Sequence, residues 1–367
     1  MTAISARSSG SPRKQQSVPE HDGAVLASAQ LLVPEPAAEP AVPAVAAVPA
    51  APAAPPVAAA PAVPPSPPRT KGRRRRSGPV LGLVRTARPK QWVKNVLVLA
   101  APAAAGALQH RTILLHTLVA FVTFSLCASG GYLVNDAADV ARDREHPTKR
   151  HRPIAAGIIS PLLARVVGIA LIVGSVVAGG LLTSWKLAAV LAGYVVVTLT
   201  YSTWLKHVAV IEMAMVAAGF LLRPIAGAAA TDVPMSRWFL IVASFGSLYM
   251  VAGKRYAEAT GLGEGAAVHR RILSAYPLSY LRQVRELAAG VTLVAYCLWA
   301  FERAGQSSST IPFSQLSIIP VTLGLLRYQL LLERGEGGAP EELVLGDRAL
   351  LGCGLVWVVL FAAGLYA

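Results

Sequence analysis

The chain has 367 residues, 54% of them hydrophobic and only 14% charged, with a formal net charge of +15. Soluble domains carry roughly 25% charged residues, so there is too little charge here to cover a water-facing surface, and a lipid solvent is implied. Cys127, Cys297 and Cys353 all lie inside apolar runs, which excludes a disulfide framework or a zinc spacing. The basic residues fall between apolar stretches, which favours membrane topology over nucleic acid.

Residues 1–78 differ from the body at 79–367. Between Pro34 and Pro68 there are 13 prolines in 35 residues, spaced mainly by Ala and Val. Such a segment lacks backbone donors and core-forming side chains, so a disordered, partly polyproline-II tail is expected. No compact apolar run follows a basic N-terminus, so it does not read as a signal peptide. It ends in Lys71-Gly72-Arg73-Arg74-Arg75-Arg76, suited to anchoring on anionic lipid.

Apolar runs then recur near 94–109, 112–134, 161–182, 187–204, 208–230, 238–253, 286–301, 312–332 and 349–366. Spanning a bilayer takes about 20 helical residues. The pattern predicts an all-α polytopic membrane protein with nine transmembrane helices. With the tail cytoplasmic, loops 135–160, 205–207, 254–285 and 333–348 hold 14 Lys and Arg; the opposite loops hold Arg111, Lys186, Arg237 and Arg303. This bias obeys the positive-inside rule and puts the C-terminus outside, with the protein in the plasma membrane. The two long, charged loops follow the second and sixth runs, and function is expected there.

The second run ends in Asn135-Asp136-Ala137-Ala138-Asp139-Val140-Ala141-Arg142-Asp143. On a helix, i, i+3 and i+7 put Asp136, Asp139 and Asp143 on one face beside Asn135. Three like charges there repel unless a cation joins them. Oxygen ligands favour Mg²⁺, completed by substrate phosphates. The alternative is a solvated acidic helix end. Lys149, Arg150 and Arg152 follow directly and suit an anionic phosphate, or serve only as topology charge. His146 and His151 read as loop residues, since oxygen-rich Mg²⁺ sites rarely recruit imidazole. Lys90 and Lys94 share a face, where they either hold phosphate or snorkel, with Trp92 in the interfacial belt.

The Asn-Asp-x-x-Asp-x-x-x-Asp pattern after a second span resembles the UbiA-type intramembrane prenyltransferase superfamily, over about residues 80–367. The resemblance implies a helical bundle around a central cavity, with aspartate motifs holding Mg²⁺ and a diphosphate. Ordinary members carry a second aspartate-rich motif after the sixth span. Here that segment reads Gly253-Lys254-Arg255-Tyr256-Ala257-Glu258, with one carboxylate and two new cations. With Arg88-Pro89-Lys90-Gln91-Trp92-Val93-Lys94-Asn95 and Tyr201-Ser202-x-x-Leu205-Lys206, it resembles one branch of the superfamily. That branch implies transfer of 5-phosphoribose from phosphoribosyl diphosphate to a polyprenyl phosphate such as decaprenyl phosphate, for cell-wall arabinan. Asp136 and Asp139 would then be catalytic. Lys254, Arg255 and Glu258 would serve phosphate binding, and Tyr201 and Lys206 would contact phosphate or ribose.

Glu212, one turn inside the fifth run, is costly in lipid and is read as ordering Lys206 or Arg255. Arg223 is read as snorkelling outward, and Arg165 and Arg327 as anchors. Residues 266–285, with His269, Arg270, Arg271, Arg282 and Arg285, are read as an amphipathic surface helix that caps the site or lies on headgroups. One rival reading is a prenyltransferase acting on an aromatic or quinone precursor; another is a transporter. Membrane lipid is an expected partner and nucleic acid is not; whether the chain forms a homo-oligomer stays open.

Overall fold

Two of the long helices, Pro161–Leu182 and Trp185–Thr203, start on a serine cap where an apolar run begins. Ser160 accepts a hydrogen bond from the Leu163 N–H (3.1 Å) with Pro161 at the first helical position, and Ser184 does the same for Leu187 (3.3 Å). The structure, a computed structural model, describes residues 78–262, 273, 275–305, 309–336 and 340–366. These lie in one compact unit, Lys71–Ala367. The proline-rich tail up to residue 77 and residues 263–272, among them His269, Arg270 and Arg271, lie outside the described residues.

Among the described residues every regular element is helical. Helix α1 (Pro79–Ala87) leads into a 3₁₀ helix, Pro89–Leu99, and then α2 (Ala100–Ala104). Then come α3 (Arg111–Ala138), α4 (Val140–Glu145), α5 (Pro161–Leu182), α6 (Trp185–Thr203), α7 (Ile211–Thr231) and α8 (Arg237–Leu262). The last five are α9 (Leu278–Ala304), α10 (Phe313–Leu316), α11 (Ile318–Glu333), α12 (Pro340–Gly346) and α13 (Arg348–Tyr366).

Seven helical stretches are long and apolar enough to cross a membrane: α3, α5, α6, α7, α9, α10 with α11, and α13. The expected nine are therefore not reproduced. Run 94–109 is not one helix. Pro102 lies in it, and Gly106 turns the chain at φ 67°, so the run divides into the 3₁₀ helix, α2 and a short 3₁₀ turn. Run 238–253 lies in α8, which at 26 residues is long enough but carries Ser244, Ser247, Lys254, Arg255 and Glu258.

The packing is that of a protein in lipid. On α5, Leu162, Val166, Ile169, Val173 and Val177 point outward, while Ala164, Gly168, Ser175 and Gly179 are buried. Small residues let backbones approach. A Cβ on Gly130 of α3 would lie 2.5 Å from the Gly168 carbonyl of α5, so neither tolerates a side chain. Gly227 of α7 meets the Val98 carbonyl of the 3₁₀ helix in the same way.

Helix α7 joins two cores. Ala226 and Ala230 pack with Val98, Phe124, Leu187, Leu191 and Tyr194. Met213 and Ala217 pack with Tyr249, Tyr256, Leu281, Tyr328 and Leu331.

Candidate functional site

Asp139 caps α3 and opens α4, so the aspartates sit on two helices rather than one. Hydrogen bonds from the Asp139 N–H to the Asn135 carbonyl (3.0 Å) and from the Asp143 N–H to the Asp139 carbonyl (2.9 Å) bridge the break. Asp136 and Asp143 therefore keep a common face. Both are buried, and Arg152 Nη1 joins them, 3.0 Å from Asp136 Oδ1 and 2.8 Å from Asp143 Oδ2. Arg88 Nη2 also donates to Asp136, at 2.8 and 3.1 Å, while its guanidinium lies 4.7 Å from the Tyr132 ring centre. Arg88 adopts φ 53°, ψ 58°, a left-handed conformation uncommon outside glycine, where α1 gives way to the 3₁₀ helix. Asp139 turns aside to Arg142 and accepts from Asn135 Nδ2 at 3.5 Å.

The 3₁₀ helix lies along α3 through three contacts in register. Arg88 reaches Asp136, Trp92 Nε1 donates to Ser129 (3.0 Å), and Asn95 Nδ2 donates to Ser125 (3.0 Å). Trp92 is thus a packing residue as well as an amphipathic one. Asn95 Oδ1 in turn accepts from Arg223 Nε of α7 at 2.8 Å. Arg223 does not snorkel outward. It is buried, donates to the Gly219 carbonyl, and lies among the rings of Phe124, Tyr194 and Phe220. Eleven residues of 3₁₀ helix is long for that form and fits a segment held by tertiary bonds.

Arg255 of α8 makes a two-pronged pair with Glu212 of α7, both bonds 2.8 Å, and Nη1 donates to Glu258 at 2.8 Å. Glu212 does order Arg255. It follows a rare strained turn in which Val210 takes φ 68°, ψ −51° and the Ile211 N–H bonds the Ala209 carbonyl at 2.8 Å. Tyr276 accepts the Val210 N–H at 2.6 Å, and burial pushes the Tyr276 hydroxyl up from its ordinary pKa.

A cavity of about 1160 Å³ runs along α8, lined in turn by Phe239, Val242, Gly246, Met250 and Lys254. The fifteen helical rises from Phe239 to Lys254 make that wall about 22 Å long. One end carries Lys94, Tyr201, Lys254 and Arg255; the other carries Ser236, Glu302 and Arg303, with Tyr296, Trp299, Trp357 and Phe361 forming an aromatic wall. The Trp357 Nε1 donates to Tyr296 (2.7 Å), and Phe361 packs on Trp299 and Trp357. A mostly apolar cavity with a cationic end suits a lipid whose head is an anion.

The sequence-predicted residues divide accordingly. Asp136, Asp143 and Arg152 come together; Asn135 and Asp139 lie beside them. Lys94, Tyr201, Lys254 and Arg255 meet at the cavity, and Glu258 joins Arg255. The 3₁₀ helix connects the two groups, with Arg88 and Asn95 bonded to α3 and Lys94 at the cavity. Lys90, Lys149 and Arg150 stand exposed, and Lys206 is half-buried on a separate 3₁₀ turn, Leu205–His207. His146 Nδ1 accepts the Thr148 N–H (3.3 Å), as a loop residue. Arg285 is not on a surface helix. It is fully buried on α9, paired with Glu333 of α11 and 4.6 Å from the Tyr256 ring centre.

Among the described residues no three Asp, Glu, His or Cys side chains are gathered as a metal cage. The donor chemistry still fits a hard cation. Asp136 and Asp143 offer only carboxylate oxygens, and the Arg152 guanidinium already lies between them as a positive stand-in.

These features define a polytopic helical membrane protein with a buried carboxylate face and a lipid-sized cavity, connected through the 3₁₀ helix. Residues 96–345 match the UbiA prenyltransferase family, and the chain belongs to that family. It is 45% identical over 289 residues to decaprenyl-phosphate phosphoribosyltransferase of Corynebacterium glutamicum, covering 78% of this chain and 87% of that one. It is 46% identical over 288 residues to the enzyme of the same name from Mycobacterium tuberculosis, covering 77% and 94%. A UbiA homologue from Archaeoglobus fulgidus, solved bound to GPP and Mg²⁺, shares the fold at a TM-score of 0.58 and 15% identity, covering 77% of this chain and 98% of that one. The chain is a membrane transferase of this superfamily.

Proposed function

We propose that the chain transfers 5-phosphoribose from phosphoribosyl diphosphate to a polyprenyl phosphate and releases diphosphate. The observation that carries this is its 45% identity, along 78% of its length, to a relative named for that reaction. The residues support it. Where a second aspartate motif would stand, Arg255 is held by Glu212 and Glu258, and Lys254, Lys94 and Tyr201 line the cationic end of the cavity, where a phosphate would sit.

Asp136, Asp139 and Asp143 would hold Mg²⁺, whose charge when bound offsets that gathering on the leaving diphosphate. Asn135, Arg152, Lys149 and Arg150, with Lys90 and Lys206, supply donors and positive charge for the donor's two anionic ends. The acceptor is already an anion, so no strong general base is needed. Its oxygen forms a bond to the anomeric carbon as the bond to diphosphate breaks, with inversion. The apolar cavity takes the prenyl chain and keeps water from the anomeric centre.

Nine crossings complete the topology. To the seven apolar spans α8 adds one. The 3₁₀ helix and α2 add another, since 3₁₀ helix rises about 2 Å per residue and the two together cover roughly 30 Å. The transferase body begins near residue 79 of a plasma-membrane protein, with tail and aspartate face cytoplasmic and the C-terminus outside; the product would supply a cell-wall arabinose donor.

The test offers purified protein in lipid vesicles two donor–acceptor pairs: phosphoribosyl diphosphate with decaprenyl phosphate, and a prenyl diphosphate with an aromatic acceptor. Turnover of the first pair alone is expected. Turnover of the second alone would make the chain an ordinary prenyltransferase.

A further inference from the structure

The chain holds its buried carboxylates in two different ways. Glu212 and its partner Arg255 are both sealed, with side-chain exposures of 0% and 3%. Asp136 and Asp143 are nearly as buried, at 3% and 6%, but their partners are not: Arg88 is 32% and Arg152 is 28% exposed. The first pair is a fixed brace. In the second, two partly exposed guanidinium groups cover two buried carboxylates, and anything that reaches those oxygens must displace them.

Charge makes the cover necessary. Two buried carboxylates without a counter-charge are strongly unfavourable. With Arg88 and Arg152 in place the group of four is neutral. A divalent cation added alone brings two positive charges beside two guanidinium groups and is resisted. Added with a diphosphate, it leaves the arginines phosphate oxygens to turn to, which suit a guanidinium fork as well as carboxylate does.

We infer that Arg88 and Arg152 are exchange partners of the aspartate face. They neutralise Asp136 and Asp143 while the site holds no substrate, and release them to take up phosphate oxygens, so that metal and diphosphate bind as a coupled pair. This rests on the proposed function only in that the aspartate face receives a metal and a diphosphate; it is indifferent to the group transferred. Arg88 is thereby assigned a role at the site, through a contact that connects residues 48 apart in sequence.

The test uses Mn²⁺ as the probe, titrated into the full chain in detergent without any donor and followed by electron paramagnetic resonance. Arg152→Gln removes the resident charge, so Mn²⁺ should bind more tightly than to the parent, by roughly 5- to 150-fold, the usual span of coupling between two sites. The same variant should raise KM for the donor more than it lowers kcat. An arginine that merely braced the loop would give the opposite sign, because its loss would loosen the face. Unchanged or weaker Mn²⁺ binding in Arg152→Gln overturns the inference. Arg88→Gln should shift Mn²⁺ binding the same way and answers the question if Arg152→Gln does not fold. Tight Mn²⁺ binding that survives Asp136→Asn would also overturn it. Enhanced Mn²⁺ binding in a chain that transfers no phosphoribose would sink the proposed function and leave this inference standing.

Discussion

Arg255 and Glu212 face each other through two parallel hydrogen bonds of 2.8 Å, with neither side chain open to solvent. The pair ties α8 to α7 directly beside Lys254, which reaches the cavity. Of the two adjacent cations, Arg255 is therefore a brace, while Lys254 lines the cavity.

Removing one partner of such a pair leaves a buried charge unmatched, at a cost of about 3–5 kcal/mol. Glu212→Gln should lower the melting temperature markedly, and Glu212→Gln combined with Arg255→Gln should recover part of the loss. Lys254→Ala should lose transfer out of proportion to any fall in melting temperature. Thermal unfolding in detergent, set beside turnover, separates the two roles.

Close helix approach gives a second expectation. Gly130→Ala and Gly227→Ala each push a methyl group against a neighbouring carbonyl, and overpacking of this kind costs about 1–3 kcal/mol. Gly174→Ala meets nothing within 4 Å and serves as the control. Equal melting of all three variants would contradict the packing described.

Much of this was legible in the sequence. The apolar runs located the long helices, and the i, i+7 spacing placed Asp136 and Asp143 on a common face because helical periodicity survives the break at Asp139. The first run misled because hydropathy is blind to backbone: the turn at Gly106 lies in an unbroken row of apolar and small residues from Val96 to Leu108. Arg285 was misread for a related reason. Leu281-Arg282-Gln283-Val284-Arg285 resembles a surface helix until Glu333, 48 residues later, draws the Arg285 charge inside. Arg88 opens the Arg-Pro-Lys-Gln-Trp-Val-Lys-Asn motif, but nothing local tells that it reaches Asp136. Arg223 carried a usable signal, since an ionisable residue within an apolar span commonly has a buried partner.

Arg223 and Asn95 should therefore behave as one unit. They hold the 3₁₀ helix between α3 and α7, through bonds of 2.8 and 3.0 Å. Arg223→Gln and Asn95→Ala should be non-additive in stability, with a coupling of about 0.5–3 kcal/mol expected for residues in one bonded network. Strict additivity in a double-mutant cycle would show the bond to be absent.

Asp347 offers a pH-dependent check away from the site. Hydrogen bonds from Arg327 hold its carboxyl at about 2, below the ordinary value of 3.8, and it accepts the Leu350 N–H at 2.9 Å to cap α13. A folded-state value below the unfolded one stabilises above pH 3.8, and that contribution fades as pH falls through about 2. Asp347→Asn should flatten this part of the acid limb of a stability-against-pH curve. An unchanged limb would mean that the Arg327–Asp347 pair does not form.

The proposed reaction depends on the Asp136 face working on phosphoribosyl diphosphate. It is tested most directly by following label from that donor into decaprenyl phosphate in vesicles, for the parent and for Asp136→Asn. Mg²⁺-dependent labelling of lipid by the parent is expected, with its loss on chelation and a drop of at least about 100-fold in Asp136→Asn, the scale of losing one electrostatic stabiliser of a transition state. Full labelling by Asp136→Asn, or parent labelling indifferent to chelation, would contradict it.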